Sequence, residues 1–215
     1  MLRSFLVAIT ATICSAVTAC SDSQWVLRES QARSWCAGPD TAITPDLRIS
    51  GCTTLIQSGR ETQSILAVAF CNRGNAYQDY KGDYDRAIQD YDQAVRLKPD
   101  DAAALNNRCW ARAVANKALE TALSDCNESL RLRPDDAGTM HSRGFVHFRM
   151  GRYDEAIADF DNSLSRDPKS ADMLYMRGLA KGVRHDTAGS DADIAEAKAI
   201  DPKVAERYAR YGVRP

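Results

Sequence analysis

Apolar and polar positions along this chain repeat on two scales. From Tyr153-Asp154-Glu155-Ala156-Ile157 onward, apolar residues recur at Ile157, Phe160 and Leu164, the spacing of a helix with one buried face. Pro168 closes that stretch, because proline cannot continue the helical hydrogen-bond ladder. Just upstream, Asp135-Asp136 can cap a helix beginning near Ala137, since a short carboxylate satisfies the free N–H groups there, and Gly151 stops it. The unit is therefore two helices. Gly82, Tyr84, Ala87, Ile88, Tyr91, Ala94 and Pro99 show the same pattern earlier in the chain.

The longer scale is a period of 34 to 35 residues. Pro99, Pro134, Pro168 and Pro202 are separated by 35, 34 and 34. Arg73, Arg108, Arg143 and Arg177 are separated by 35, 35 and 34, and Asp90, Asp125, Asp159 and Asp193 by 35, 34 and 34. Three ladders on one period predict four helix-turn-helix units, 66–100, 101–135, 136–170 and 171–202. Each helix is about three turns and marginal alone, so stacking on neighbours must supply the burial. The predicted class is all-α. Val204, Tyr208 and Tyr211 fall at i, i+4 and i+7, which predicts a one-sided helix within 203–215 that closes the last unit. Thr44-Pro45-Asp46 opens a helix through Ile56, stopped near Gly59, and residues 20–65 read as a linker and divergent helical cap.

These units resemble the tetratricopeptide-repeat (TPR) family. Gly144, Ala156, Phe160 and Pro168 match its pattern in unit three, and Phe70, Gly74, Tyr77, Ala87, Tyr91 and Pro99 match it in unit one. Arginine replaces the usual leucine before the glycine in all four units, and Cys109 replaces the glycine of unit two. Units one and two each carry one extra residue between marker positions, and unit four is degenerate at Ser190 and Ile194. The resemblance implies a solenoid whose first helices line a concave groove for a peptide or protein partner. Helical spacing puts Cys71/Asn75, Asn106/Trp110, His141/Phe145 and Tyr175/Leu179 on that face, with Asn72, Asn107, Ser142 and Met176 beside them. The candidate groove is thus Asn72, Asn75, Asn107, Trp110, His141, Phe145 and Tyr175, with Trp110 and Phe145 as expected anchors. The alternative is that these two rings pack between repeats and never meet a ligand. Asn75 and Asn107 match the amides of the family's carboxylate clamp. Cys71, Gly138 and Ser142 stand where its basic residues belong, so that specificity is not expected.

The cysteines add a redox expectation. By the family pattern Cys109 sits at the closest approach of its helix pair and Cys126 at the aromatic position facing it, 17 residues on; Cys36 and Cys52 are 16 apart across another apparent turnaround. Matching spacings suggest two local disulfides, with small buried fillers as the alternative. Cys71 is left over. The Arg and Asp ladders flank the same helix–helix seam, so repeated Arg–Asp pairs are expected, with solvated independent charges as the alternative; as exposed pairs they would set register and solubility more than stability.

Composition narrows the function classes. Hydrophobic residues are 44% and charged residues 27%, a globular balance, and the net charge of −1 creates no field for nucleic acid. The three histidines are dispersed and there is no Cys-x-x-Cys, so neither a metal nor another cofactor is expected. Residues 1–19 read as a signal peptide: Arg3 precedes an uncharged run from Phe5 to Val17, shorter than the roughly 20 residues a spanning helix needs. Val17-Thr18-Ala19-Cys20 resembles a bacterial lipobox, which would make Cys20 a lipid anchor; the alternative is plain secretion after Ala19. The combined expectation is a non-catalytic adaptor of the bacterial envelope, periplasmic or held at the outer membrane. A thiol-dependent redox protein using Cys71 or Cys109 and Cys126, and a purely structural spacer, are the rivals.

Overall fold

Short oxygen-bearing side chains start most of the helices. Thr44, Thr62, Asp83, Asp101, Asp136 and Asp186 each accept a backbone N–H from the first turn that follows. Left-handed glycines at Gly59, Gly82 and Gly151 end three helices, where a side chain would be strained. The computed structural model describes residues 28–38 and 43–213; the expected leader 1–19 and anchor Cys20 lie outside them. This punctuation produces α1 (28–37), α2 (Pro45–Ser58), α3 (Gln63–Ala76), α4 (Tyr84–Leu97), α5 (Ala102–Ala115) and α6 (Leu119–Leu132). It continues with α7 (Ala137–Arg149), α8 (Tyr153–Leu164), α9 (Ala171–Val183), α10 (Thr187–Ile200) and α11 (Val204–Arg210). The described residues contain no strand, and none of their helices is long and apolar enough to cross a membrane. From α2 to α10 each helix packs on the next, while α5 also packs on α7 and α7 on α9, which is solenoid stacking.

Inside each hairpin the helices meet at one tight seam. A Cβ placed on Gly74 would lie 2.8 Å from Tyr91 Cε1, and one on Gly144 2.7 Å from Phe160 Cε1. At Gly178 it would lie 2.8 Å from Ile194 Cγ1. Unit two has no such glycine. There the Cys109 and Cys126 sulfurs lie 2.03 Å apart, and those of Cys36 and Cys52 tie α1 to α2 at 2.08 Å. All four cysteines are buried. A covalent link thus stands in unit two where packing of glycine against a large side chain holds the other repeats.

The extra residue of units one and two is absorbed in two different ways. In unit one α3 runs on through a π-helical turn, Tyr77–Lys81, which takes up one residue without breaking the helix. In unit two the insertion is taken by the connection, where Asn116 and Ala118 both adopt positive φ.

The ladder of charges differs from its expectation. Asp90, Asp125, Asp159 and Asp193 are buried, not exposed. Each receives a two-pronged bond from its arginine: Arg73 to Asp90 at 2.8 and 2.7 Å, and Arg108 to Asp125 at 2.8 and 2.6 Å. Arg143 to Asp159 spans 2.9 and 2.6 Å, and Arg177 to Asp193 2.7 and 2.7 Å. The remaining nitrogen, Nη1, reaches back to the preceding hairpin. It donates to Thr53 Oγ1 from Arg73, Asp92 Oδ1 from Arg108, Asn127 Oδ1 from Arg143 and Asp161 Oδ1 from Arg177. These acceptors follow Cys52, Tyr91, Cys126 and Phe160 directly in sequence, so α2 presents the same register as the second helices of the repeats. Burial opposes ionisation of Asp193, but Arg177 and Lys181 overcome it and hold its carboxyl below the usual range.

Two measurements check this account. Asp159→Ala leaves Arg143 uncompensated at a half-buried seam and should cost roughly 3 kcal/mol in chemical unfolding, while Glu128→Ala, whose Arg131 pair is exposed, should leave stability unchanged. Non-reducing peptide mapping of protein from its native compartment should recover Cys36–Cys52 and Cys109–Cys126. Each closes a loop of 16 or 17 residues, and its loss should cost about 3 kcal/mol.

Candidate functional site

The first helices α3, α5, α7 and α9 spend one side on the hairpin seam and turn another toward the proposed groove. On that side the chain divides into a polar end and an aromatic end. At the polar end Asn75 Oδ1 accepts from the Tyr91 hydroxyl at 2.7 Å and from Asn107 Nδ2 at 3.1 Å. Asn72 Nδ2 donates to the Cys36 carbonyl at 3.1 Å, and Arg48 donates to the same carbonyl at 3.2 Å. Together these amides bind α3 to α5 and to the α1–α2 hairpin. Beside them a cavity of about 280 Å³ is lined by Arg48, Asn72, Asn75, Asp79 and Tyr80. Asp79 and Tyr80 come from the π turn, and Tyr80 is 54% exposed.

The aromatic end is covered. The Trp110 ring lies 5.2 Å from Phe145 and 5.3 Å from His141. Tyr208 of α11 packs on Phe145 at 5.9 Å and on Tyr175 at 5.6 Å, and its hydroxyl is 3.0 Å from His141 Nε2. Tyr211, just after α11, meets Trp110 edge-on at 5.9 Å and Tyr84 at 6.4 Å. Arg149 lies over the Phe145 ring and donates to the Tyr211 carbonyl, and Arg207 pairs with Asp172 at 3.4 Å.

Several expectations change accordingly. Phe145 and Tyr175 are fully buried, Trp110 is half-buried, and His141 is enclosed by Trp110, Phe160 and Tyr208. In this conformation they form a core with the C-terminal segment and present no open groove. The helix expected to close the last unit does more than that: its side chains, with Tyr211 after it, reach from unit four to unit one. Asn72 and Asn75 do line an open cavity, and Asn107 braces Asn75. Arg48, Asp79, Tyr80, Arg149 and Asp172 were missed, because only the folded path of α1–α2, the π turn and α11 brings them to this face. The one-sided aromatic spacing of Tyr208 and Tyr211 was the signal available for α11.

Burial holds the His141 imidazole neutral, pushing its pKa down to about 4, with the Asp172 charge opposing the shift. Burial likewise pushes Tyr208 far above the ordinary tyrosine value. Cys71 packs against two apolar clusters, one containing Leu105 and the other Tyr91, and burial together with Asp101 and Asp90 pushes its thiol up to about 12. A thiol so raised stays protonated at neutral pH and is a poor nucleophile. No group of three potential metal ligands occurs among the described residues.

Comparison with known proteins fits the geometry. A tetratricopeptide-repeat family model matches residues 109–181 and a TPR-repeat model matches residues 80–108. Residues 80–181, just under half of the chain, are thus similar to tetratricopeptide repeats. The TPR fold extends beyond them in solved structures: MamA superposes with a TM-score of 0.65 at 18% identity, covering 83% of this chain and 94% of that one. A thermophilic TPR protein from Thermus thermophilus gives 0.60 at 17% identity over 78% and 89% of the two chains. YrrB, described as a TPR protein with an unusual peptide-binding site, gives 0.58 at 18% identity over 79% and 84%. Hsp70-Hsp90 organizing protein 3 of Arabidopsis thaliana is 28% identical over 129 residues, 56% of this chain. The chain spans only 23% of that relative's length.

If Phe145 belongs to this core, Phe145→Ala should lower unfolding stability by about 3–5 kcal/mol, read by denaturant titration. The depressed pKa of His141 gives a second check. Its contribution is complete above the unfolded value of about 6.5 and is lost as pH falls toward about 4, because the unfolded chain takes up the proton first. The melting temperature should therefore drop between pH 6.5 and 4, and the drop should be smaller in His141→Gln.

Proposed function

We propose that this protein is a non-catalytic scaffold that holds a polypeptide segment against its first-helix face. TPR solenoids of this fold include one described as carrying a peptide-binding site, and TPR proteins are built to hold protein or peptide partners. The observation that carries the reading is the open polar cavity between α2, α3 and the π turn. Asn75 uses its carbonyl oxygen on Tyr91 and Asn107, which leaves its NH2 group to donate to an arriving backbone carbonyl. Tyr80 offers a large exposed ring beside it, the kind of contact that dominates interface energy. We place this adaptor in the bacterial envelope, exported by residues 1–19 and held by a lipid on Cys20. The leader-like run and the Val17-Thr18-Ala19-Cys20 order support that placement.

A photo-crosslinking residue at position 80 should trap a discrete polypeptide in envelope fractions, while the same residue at position 200 on α10 should not. Once the partner is isolated, Tyr80→Ala should weaken binding by about tenfold or more, the effect of losing about 1.4 kcal/mol or more from an interface anchor, with stability unchanged. Equal affinity of Tyr80→Ala and the parent would remove this face from the proposal. Cys20→Ser should abolish acyl labelling; an unmodified Cys20 at the mature N-terminus would leave plain secretion.

A further inference from the structure

The aromatic end of the first-helix face already has an occupant, and that occupant is this chain's own C-terminal segment. Its contacts have the layout of a bound ligand. Arg207 reaches Asp172 at the start of α9, Tyr208 enters among His141, Phe145 and Tyr175, and Tyr211 lies against Trp110 and Tyr84. One charged residue and two aromatic residues therefore touch side chains from all four repeats. By contrast α11 is slight in itself: it has seven residues, and its N-cap position, Lys203, supplies no side-chain hydrogen bond.

The fit is also incomplete. Among the described residues, buried side-chain polar atoms without a hydrogen bond include Tyr175 Oη, Arg149 Nε, Asp172 Oδ1 and Arg207 Nε. All four lie where α11 meets the first helices, and the last two face each other as an ion pair lacking hydrogen-bond geometry. A buried donor or acceptor left unmade costs its desolvation with nothing returned, so this contact sits below what the surface could support. A segment that fills the same places and satisfies those atoms would bind better than α11 does.

We propose that α11 is a displaceable resident of the first-helix face, and that a partner docks there through a segment of the same chemistry. That segment carries a basic residue followed at once by an aromatic residue, with a second aromatic three positions later, as in Arg207-Tyr208-Ala209-Arg210-Tyr211. The basic residue meets Asp172, the first ring enters the His141–Phe145–Tyr175 site, and the second covers Trp110. The proposal rests on the reading that this face binds polypeptide, and it adds that the face is closed until its own terminus leaves. Polypeptide binding at the Tyr80 cavity does not depend on it.

The test uses the full chain and a fluorescein-labelled peptide of residues 201–213. In the parent, the tethered segment competes with the peptide. In Tyr208→Ser/Tyr211→Ser the resident is disabled, and the peptide should bind at least about tenfold tighter than to the parent. The same peptide with both tyrosines changed to serine should bind neither protein. Hydrogen exchange on the parent reads the resident directly: amides of 204–210 should exchange at least about tenfold faster than those of α9. Peptide affinity unchanged between parent and a folded variant overturns the proposal. So does exchange of α11 at the same rate as α9, which would make α11 a permanent part of the core, including in the case where the double variant fails to fold. Crosslinking at position 80 is unaffected by either result, so failure here is separable from failure of the scaffold reading.

Discussion

One guanidinium per repeat holds three helices at once. Its Nε and Nη2 grip an aspartate on the second helix of its own hairpin, and its Nη1 reaches the second helix of the hairpin before. Arginine suits this place because a rigid planar fork can make a two-pronged bond and still present a third donor in a fixed direction; a lysine ammonium has no such geometry. The aspartates are buried, so their charge needs the fork, joined by Arg112 at Asp125 and by Lys181 at Asp193, to compensate it. Register within a repeat and register between repeats are thereby one constraint. A solenoid has only neighbour contacts to rely on, so a bond that couples both interfaces limits drift along the whole stack.

That clamp sets what the remaining helix faces can do. With one side of each first helix committed to the hairpin seam and the arginine pointing back along the stack, another side is left for contacts beyond the hairpin. Its two ends meet different fates. At α3 the side chains are amides that brace one another around a polar cavity. At α5, α7 and α9 they are aromatic, and aromatic surface of this extent is not left in water. The C-terminal segment covers it, making the two ends of the face chemically distinct.

Cysteine chemistry follows the same logic. The Cys109–Cys126 link occurs in the repeat whose first helix lacks the glycine of the seam, so it adds a covalent tie where that packing is missing, while Cys36–Cys52 ties α1 to α2 beside the close approach at Gly51. Cys71 is different. Packed against the clusters of Leu105 and Tyr91, with the Asp90 and Asp101 charges also raising its pKa, its thiol is disfavoured from forming the reactive thiolate.

The sequence by itself determined the class, the repeat length, the capping residues and the partners across each seam. These are local or periodic features: a carboxylate three residues before an N–H, a glycine seventeen residues before a tyrosine, an arginine ladder in step with an aspartate ladder. It also placed Asn75, Trp110, His141 and Phe145 on one side of their helices, because helical geometry fixes direction within a helix. Only the tertiary structure decided whether that side is open. The burial of the aspartates depends on how closely the helices pack at each seam, and the π turn at Tyr77–Lys81 depends on how one extra residue is absorbed. The closure of the aromatic end depends on where a seven-residue helix travels after Pro202. Periodicity specifies how each repeat meets the next, but the segment after Pro202 does not carry the repeat pattern, and its path is set by the apolar surface it finds.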